Sequence, residues 1–176
     1  MKRLLAYVLT IALAAIVLAP SASAANRASD GVRQASKQFY AALNLVLNGN
    51  ARPMADIWSH RAPATTMHPI GGRQIGWDQV RGSWEKVAEA AMHGKVELKD
   101  QLIQVSGDMA YEVGVEHVQS TRSGHDVEAE LRVTNIYRRE GGAWKIVHHH
   151  ADISPALVEM LGKSPTPYES TEWGGS

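Results

Sequence analysis

The chain of 176 residues contains no cysteine. A disulfide framework, a thiolate metal site and a cysteine nucleophile are therefore all excluded. If the protein is exported, packing alone must hold its fold together, because no covalent cross-link is available.

A hydrophobic run long enough to span a bilayer as a helix is also missing. The apolar run at residues 4–18 has 15 residues, follows Lys2 and Arg3, and leads to the small-x-small segment Ala22-Ser23-Ala24. This pattern is typical of a cleaved signal peptide. A spanning helix needs about 20 apolar residues, so an uncleaved anchor is the less favoured alternative. We expect a periplasmic or secreted protein, cleaved near Ala24, with no membrane contact afterwards.

The mature chain would have no excess of positive charge. Without residues 1–24 it has 16 Lys and Arg against 18 Asp and Glu, a formal net charge of −2. Nucleic-acid partners are not expected, because phosphate binding needs a basic excess on one face. We expect one domain over residues 25–154 and a loosely ordered tail over residues 155–176, where Pro, Ser and Gly accumulate.

Three segments of the amino-terminal half have the apolar spacing of helices. They are residues 25–50, the short segment 53–59 and the tryptophan-containing segment that begins at Trp77 and is closed by Gly94. A β-branched run at residues 64–69 predicts a short strand before the third helix.

The segment from residue 95 to residue 151 predicts antiparallel strands. Turn signals at residues 107–108, 123–124 and 141–142 separate its alternating segments. Parallel strands would need crossover helices, for which the chain leaves no room. The predicted fold class is therefore α+β, with helices on one face of a curved sheet that could enclose a small molecule.

Three consecutive histidines end the last predicted strand. If Glu140–Ala143 forms the hairpin loop, Asn135 faces His148, so that His148 and His150 point inward and His149 points outward. Asn135 is the polar residue on the inward face of its own strand. A buried amide needs hydrogen-bond partners, so Asn135 should line a pocket or join an internal network.

The neighbouring strands are assigned faces by the same alternation. In the strand from residue 126 to residue 139 the odd positions are apolar, which places Tyr137 inward. In the strand from residue 109 to residue 122, Tyr111 and His117 share an apolar face that we expect to point inward.

The block from Arg132 to His150, and the earlier segment from Thr66 to Gly71 followed by a tryptophan-containing helix, resemble the SnoaL-like, nuclear transport factor 2-like superfamily. This superfamily includes ketosteroid isomerase, polyketide cyclases and the association domain of calcium/calmodulin-dependent protein kinase. The resemblance covers roughly residues 30 to 153. It implies a cone-shaped, curved antiparallel sheet with about three amino-terminal helices on its concave face, and a homodimer formed through the outer face.

The resemblance also implies a catalytic residue. In ketosteroid isomerase a short strand ends in an acid-proline-x-glycine segment whose carboxylate is the general base, and the matching segment here begins with His68. Histidine suits that task near neutral pH. The isomerase also needs a phenol and a protonated acid as an oxyanion hole. Tyr40, Tyr111 and Tyr137 are the candidate phenols, and we expect no acid on an inward face.

His148 and His150 could alternatively chelate a metal ion, because they lie two residues apart on one predicted strand face. Two imidazoles need a third or fourth ligand, which His68 or His117 would have to supply. The simpler interpretation is that the pair lines a cavity or bonds Asn135, and we expect no cofactor.

The leading functional hypothesis is an exported SnoaL-like domain that binds a small, largely apolar molecule in its cone, with no assigned reaction. The expected pocket residues are Trp58, Trp84, Tyr111, His117, Asn135, Tyr137, His148 and His150. The alternatives are an isomerase, cyclase or lyase with His68 as general base, a histidine-based metal-binding protein, and a purely structural homodimer. Fold alone does not choose among them.

Overall fold

The structure is a computed structural model, and it describes residues 22–61, 63–69, 72–90, 93–122, 125–152 and 155. Residues 1–21 and almost all of the predicted tail lie outside the described residues, so the signal peptide and the tail stay predictions. Within the described ranges, no helix is long and apolar enough to cross a membrane.

Within the described residues, three helices form where the apolar spacing predicts them: α1 (Ala22–Val46), α2 (Met54–Ile57) and α3 (Trp77–Glu89). One face of α1 is buried, because Val32, Phe39 and Val46 recur at helical spacing and are shielded from solvent. The turn after α1 contains Gly49 at a φ of 94°, a left-handed conformation that favours glycine.

Six strands of the described part of the chain form one sheet. They are β1 (Thr65–Met67), β2 (Gln74–Ile75), β3 (Gly94–Ser106), β4 (Met109–Arg122), β5 (His125–Glu140) and β6 (Ala143–Ala151). Their order is β2-β1-β6-β5-β4-β3, and the sheet is curved and unclosed. The predicted α+β class and the antiparallel pairing of the long strands are confirmed. The sheet is nevertheless mixed, because β1 runs parallel to β6.

A β-bulge in β6 reverses the predicted faces of the three histidines. Tyr137 pairs with Ile146 as predicted, but the register then shifts, so that Asn135 pairs with His149. His149 is consequently 2% exposed, whereas His148 and His150 are half-buried on the other face. The inward placement predicted for His148 and His150 is wrong, because strict alternation does not continue through the extra residue of a bulge.

The inward face of β4 is also the opposite of the predicted one. Glu112 and Glu116 are buried, whereas Tyr111 is 45% exposed. His117 lies on the outer face beside two glutamates of β5. The inward placement predicted for Tyr111 and His117 is therefore wrong, and so is the expectation that no acid faces inward. The cause is that the two glutamates of β4, and not its apolar odd positions, contact hydrogen-bond donors of α1 and β5.

The core lies between the concave side of the sheet and the helices. Phe39 of α1, Trp84 of α3 and Trp58, which follows α2, are buried there together with Tyr137 and Ile146 of the sheet. These large side chains occupy the concave side and surround the buried polar groups described next.

Candidate functional site

Two adjoining groups of buried polar side chains lie on the concave side. We call the first the carboxylate network; its members are Ser36, Tyr40, Gln101, Glu112, Glu116, Asn135 and Tyr137. We call the second the histidine–tryptophan cluster; its members are Trp58, Thr66, His68, Trp84 and His149. A hydrogen bond between Asn135 and His149 joins the two groups.

Glu112 is the centre of the carboxylate network. Its Oε1 accepts hydrogen bonds from Ser36 Oγ at 2.6 Å and Gln101 Nε2 at 2.5 Å, and its Oε2 accepts from Tyr137 Oη at 2.6 Å and Asn135 Nδ2 at 3.1 Å. Each carboxyl oxygen thus accepts two hydrogen bonds, as many as it has lone pairs. These four donors offset the cost of burying a polar group in the core.

Glu116 is a second buried acid in the same network. Tyr40 Oη donates to Glu116 Oε1 at 3.1 Å and accepts a hydrogen bond from Asn135 Nδ2 at 3.3 Å. Burial raises the pKa of Glu116 to about 7. Burial, together with the neighbouring carboxylates, also raises the pKa values of Tyr40 and Tyr137, so both phenols stay protonated donors.

The histidine–tryptophan cluster packs two imidazoles against one indole. The ring centroids of His68 and Trp84 are 4.4 Å apart, those of Trp84 and His149 are 5.6 Å apart, and those of the two histidines are 6.2 Å apart. Burial lowers the pKa of His68 to about 4 and lowers that of His149 well below its usual value. Both imidazoles are therefore neutral at pH 7.

Three polar atoms of this cluster are buried and have no hydrogen-bond partner among the described residues. They are the indole Nε1 atoms of Trp58 and Trp84 and the hydroxyl of Thr66. Thr66 lies directly opposite His149 in the parallel pairing of β1 and β6. Each unpartnered buried group costs about 1–3 kcal/mol, so three of them in one cluster mark a place where a partner would be accepted.

The structure brings five of the predicted site residues to the concave side. Trp58, His68, Trp84, Asn135 and Tyr137 are all buried there. Whether any of these side chains contacts a ligand stays a prediction.

The other four predicted residues lie elsewhere. Tyr111 and His117 are on the outer face; His148 Nδ1 is 2.7 Å from the hydroxyl of Thr65, and His150 Nε2 is 3.7 Å from Asp152. Within the described ranges, no group of three or more His, Asp or Glu side chains is placed to hold a metal ion. His148 and His150 also lie on the opposite face of β6 from the buried His149.

Sequence reasoning missed Glu112, Glu116 and His149. One signal for the acids was available: the even positions of β4 also include Ala110 and Val118, which are buried with them. For His149 the chain offered no such signal, because the bulge that turns it inward has no mark in the alternation pattern.

Two clefts of the surface lie apart from this site. One of about 540 Å³ is on the outer face of the sheet and is lined in part by Asp100, Arg132 and His150. The other, of about 530 Å³, lies between the turn after α1 and the exposed side of α3. Neither reaches the histidine–tryptophan cluster.

Comparisons with known proteins agree with the fold. A family model described as a SnoaL-like domain matches residues 32–156, and no curated protein matches the chain significantly. A candidate dehydratase of the NTF2-like family from Streptomyces avermitilis has a similar structure, with a TM-score of 0.66 and 21% identity over 74% of this chain and 99% of that one. A candidate ketosteroid isomerase from Shewanella frigidimarina is similar with a TM-score of 0.58 and 20% identity, over 69% of this chain and 94% of that one. The association domain of C. elegans CaMKII is similar with a TM-score of 0.57 and 14% identity, over 72% of this chain and 95% of that one.

Proposed function

Because the chain belongs to the SnoaL-like domain family, we propose that it binds a small, largely apolar molecule on the concave side of its sheet, at the histidine–tryptophan cluster. The observation that carries this proposal is the set of three buried polar atoms without partners, on Trp58, Thr66 and Trp84. Small-molecule sites combine apolar walls with a few convergent polar groups, and this cluster has both.

The lining defines the chemistry of the ligand. Phe39, Trp58 and Trp84 are aromatic walls that favour an apolar body. The two indole N–H groups are donors only, so they suit a carbonyl or ether oxygen of the ligand. The side chains of the cluster are closely packed, so a ligand enters only if one indole moves, and tryptophan fluorescence should report binding.

Native mass spectrometry and a thermal shift assay test this proposal. Untagged protein is examined for a co-purified small molecule and then heated with and without acetophenone, an aromatic ketone. We expect acetophenone to raise the Tm of the unmodified protein. Trp84→Phe, which removes one indole N–H, should reduce the rise, and Trp77→Phe should not, because Trp77 stacks on His60 outside the cluster. Equal Tm rises in both variants, or no rise at millimolar acetophenone with no bound molecule, would contradict the proposal.

A second candidate function is proton transfer, with His68 as the general base of an isomerase, cyclase or lyase. It is favoured by the position of the neutral His68 ring, 4.4 Å from that of Trp84, whose indole N–H could polarise a carbonyl. Exchange of the methyl protons of acetophenone for deuterium, followed by proton NMR, tests it. The protein should accelerate the exchange and His68→Gln should not. Exchange no faster than in buffer would remove this candidate.

We further propose that the protein is a homodimer formed through the outer face of the sheet. That face exposes three large apolar side chains, Leu102, Met109 and Tyr111, beside charged residues of β5. Light scattering with Tyr111→Lys should report a monomer, and Leu45→Lys, which alters an exposed apolar residue of α1, should leave the dimer intact. Dimers in both variants would place the interface elsewhere.

Export is likewise a proposal, resting on the charged, apolar and small-residue order of the first 24 residues. Amino-terminal sequencing of protein recovered from the periplasm or the medium should begin near Ala25. Protein found only in the cytoplasm with its first residues intact would contradict it.

A further inference from the structure

The hydrogen bonds of Asn135 determine which nitrogen of His149 carries the proton. Asn135 Nδ2 donates both of its hydrogens, to Glu112 Oε2 and to Tyr40 Oη. The amide cannot be reversed, because its oxygen would then face the carboxylate of Glu112. Asn135 Oδ1 is therefore the atom 2.7 Å from His149 Nδ1, and it only accepts. His149 must carry its hydrogen on Nδ1, so its Nε2 is unprotonated and able to accept a hydrogen bond.

Ser83 determines the tautomer of His68 in the same way. The Ser83 hydroxyl has one hydrogen and donates it to the backbone oxygen of Val80 at 2.7 Å. The same hydroxyl is 3.0 Å from His68 Nε2, so Nε2 must be the donor of that bond. In His68 the unprotonated nitrogen is therefore Nδ1, whereas in His149 it is Nε2.

We propose that His149 Nε2 and His68 Nδ1 are a pair of hydrogen-bond acceptors that select a neutral ligand with a hydroxyl group as well as a carbonyl, and that Asn135 and Glu112 are the positioning residues that fix this selection. The inference deepens the proposed function and rests on it. The indole groups of Trp58 and Trp84 only donate, and the two imidazoles, in these tautomers, only accept. A hydroxy-ketone or a phenolic ketone can satisfy both kinds of group.

The same arrangement rejects carboxylates and phosphates. An ionised acid has no hydrogen to donate, so each free imidazole nitrogen would lie against a negative oxygen. Behind Asn135 the carboxyl of Glu112 already accepts four hydrogen bonds, so Asn135 offers the ligand no donor. A site that hydrogen-bonds a hydroxyl discriminates strongly against analogues that lack it, because its own buried groups are left unpaired.

Imidazole nitrogen NMR of the unmodified ¹⁵N-labelled protein tests the tautomers without any ligand. At pH 7 we expect a protonated Nδ1 and a bare Nε2 for His149, and the reverse for His68. The signals are assigned with His149→Gln and His68→Gln. Asn135→Leu should alter only the His149 nitrogens and Ser83→Ala only those of His68. A bare Nδ1 on His149, or an imidazolium at either site, would overturn the inference whatever the protein binds.

Three matched probes then test the selection. We expect 4-hydroxyacetophenone to bind at least about tenfold more tightly than acetophenone, which lacks the hydroxyl, and at least about tenfold more tightly than 4-acetylbenzoate, which has a carboxylate in its place. His149→Phe should abolish the advantage of 4-hydroxyacetophenone over acetophenone, whereas His150→Phe should leave that advantage unchanged, because His150 faces outward.

The outcomes separate the inference from the function on which it rests. If acetophenone and 4-hydroxyacetophenone bind equally, or the carboxylate binds best, the inference is wrong and the binding function stands. If none of the three probes raises the Tm or perturbs a resonance of the cluster, both are wrong.

Discussion

The two faces of the sheet carry similar side chains in different surroundings. On the concave face, Glu112 is fully buried and accepts four hydrogen bonds, and Asn135 links it to the buried His149. On the outer face, Glu130 has a side chain that is 67% exposed and lies 3.8 Å from His117. Each face thus has a glutamate near a histidine, linked through Asn135 on the concave face. Water can replace the contacts of the outer pair but not those of the buried one.

The difference shows where polar groups have energetic consequences in this fold. An exposed ion pair contributes about 0–1 kcal/mol because solvent screens it and can replace either partner. When a buried acceptor loses its donors, or buried donors lose their acceptor, the groups left behind are destabilising by their full desolvation penalty. The carboxylate network should therefore determine stability and the orientation of His149, whereas the outer charges should matter mainly for solubility and association.

The sharpest way to break the comparison is to remove one carboxylate from each face. Glu112→Ala leaves four donors without their acceptor, and we expect the free energy of unfolding to fall by about 3–5 kcal/mol. Glu130→Ala should change it by less than about 0.5 kcal/mol. Urea unfolding followed by circular dichroism measures both. Similar losses in the two variants would contradict the contrast between the faces.

The pH dependence of stability should differ between the faces in sign. Burial raises the pKa of Glu116 from about 4.5 to about 7, so the folded state holds a proton that the unfolded state has released. The contribution of Glu116 is fully present below pH 4.5 and is lost as the pH rises to 7. The stability of the unmodified protein relative to Glu116→Gln should therefore fall over this window, by at most about 3 kcal/mol.

The exposed Glu97 is the control for that experiment. A hydrogen bond from Lys95 holds the pKa of Glu97 below its usual value. The stabilising contribution of Glu97 is therefore present above the ordinary glutamate pKa of about 4.5, and it is lost as the pH falls below that value. Unfolding curves measured from about pH 2 to pH 8 should show a small effect of Glu97→Gln with the opposite sign, confined to the acid side of about pH 4.5. A Glu116→Gln profile parallel to that of the unmodified protein would show that Glu116 titrates normally.

Double-mutant cycles sharpen the comparison at the level of single pairs. Asn135 and His149 are register partners joined by a buried hydrogen bond, and Thr134 and His150 are the neighbouring partners on the other face. We expect a coupling energy of about 1–2 kcal/mol for the inner pair and less than about 0.5 kcal/mol for the outer pair. Unfolding free energies of the single and double alanine variants give both values. An inner coupling no larger than the outer one would remove Asn135 as a positioning residue.

The smallest effect is expected for an ion pair of the outer face. Arg132 Nε donates to Asp152 at 2.6 Å, but the Arg132 side chain is 85% exposed. Arg132→Ala should lower the free energy of unfolding by no more than about 1 kcal/mol, and by less in high salt. A loss above about 2 kcal/mol would mean that this pair is shielded from water.

Much of the fold could be predicted because its elements are periodic. The spacing of Val32, Phe39 and Val46 predicts α1. The glycine turns predict three or four long antiparallel strands after α3, and the structure has four there. The parallel pairing of β1 with β6 could not be predicted, because a three-residue strand has too few positions to show a pattern or a direction.

The candidate site was only partly predictable. Trp58, Trp84, Asn135 and Tyr137 are buried on the concave side as their spacing indicates. Because of the bulge in β6, His149 faces the concave side and its two neighbours face outward. One extra residue reverses the face of every later side chain in a strand. The acids of β4 were missed because hydrophobicity was used to choose the inward face, whereas Glu112 is buried among hydrogen-bond donors.

The most direct test of ligand binding at the histidine–tryptophan cluster is a proton–nitrogen NMR titration of the indole groups with 4-hydroxyacetophenone. The Nε1–H signals of Trp58 and Trp84, which have no acceptor among the described residues, should move and become protected from solvent exchange as the probe binds. The signal of Trp77, which lies at the first turn of α3 and stacks on His60, should stay in place. Unchanged Trp58 and Trp84 signals at saturating probe, or a shift of Trp77 alone, would contradict the proposed site.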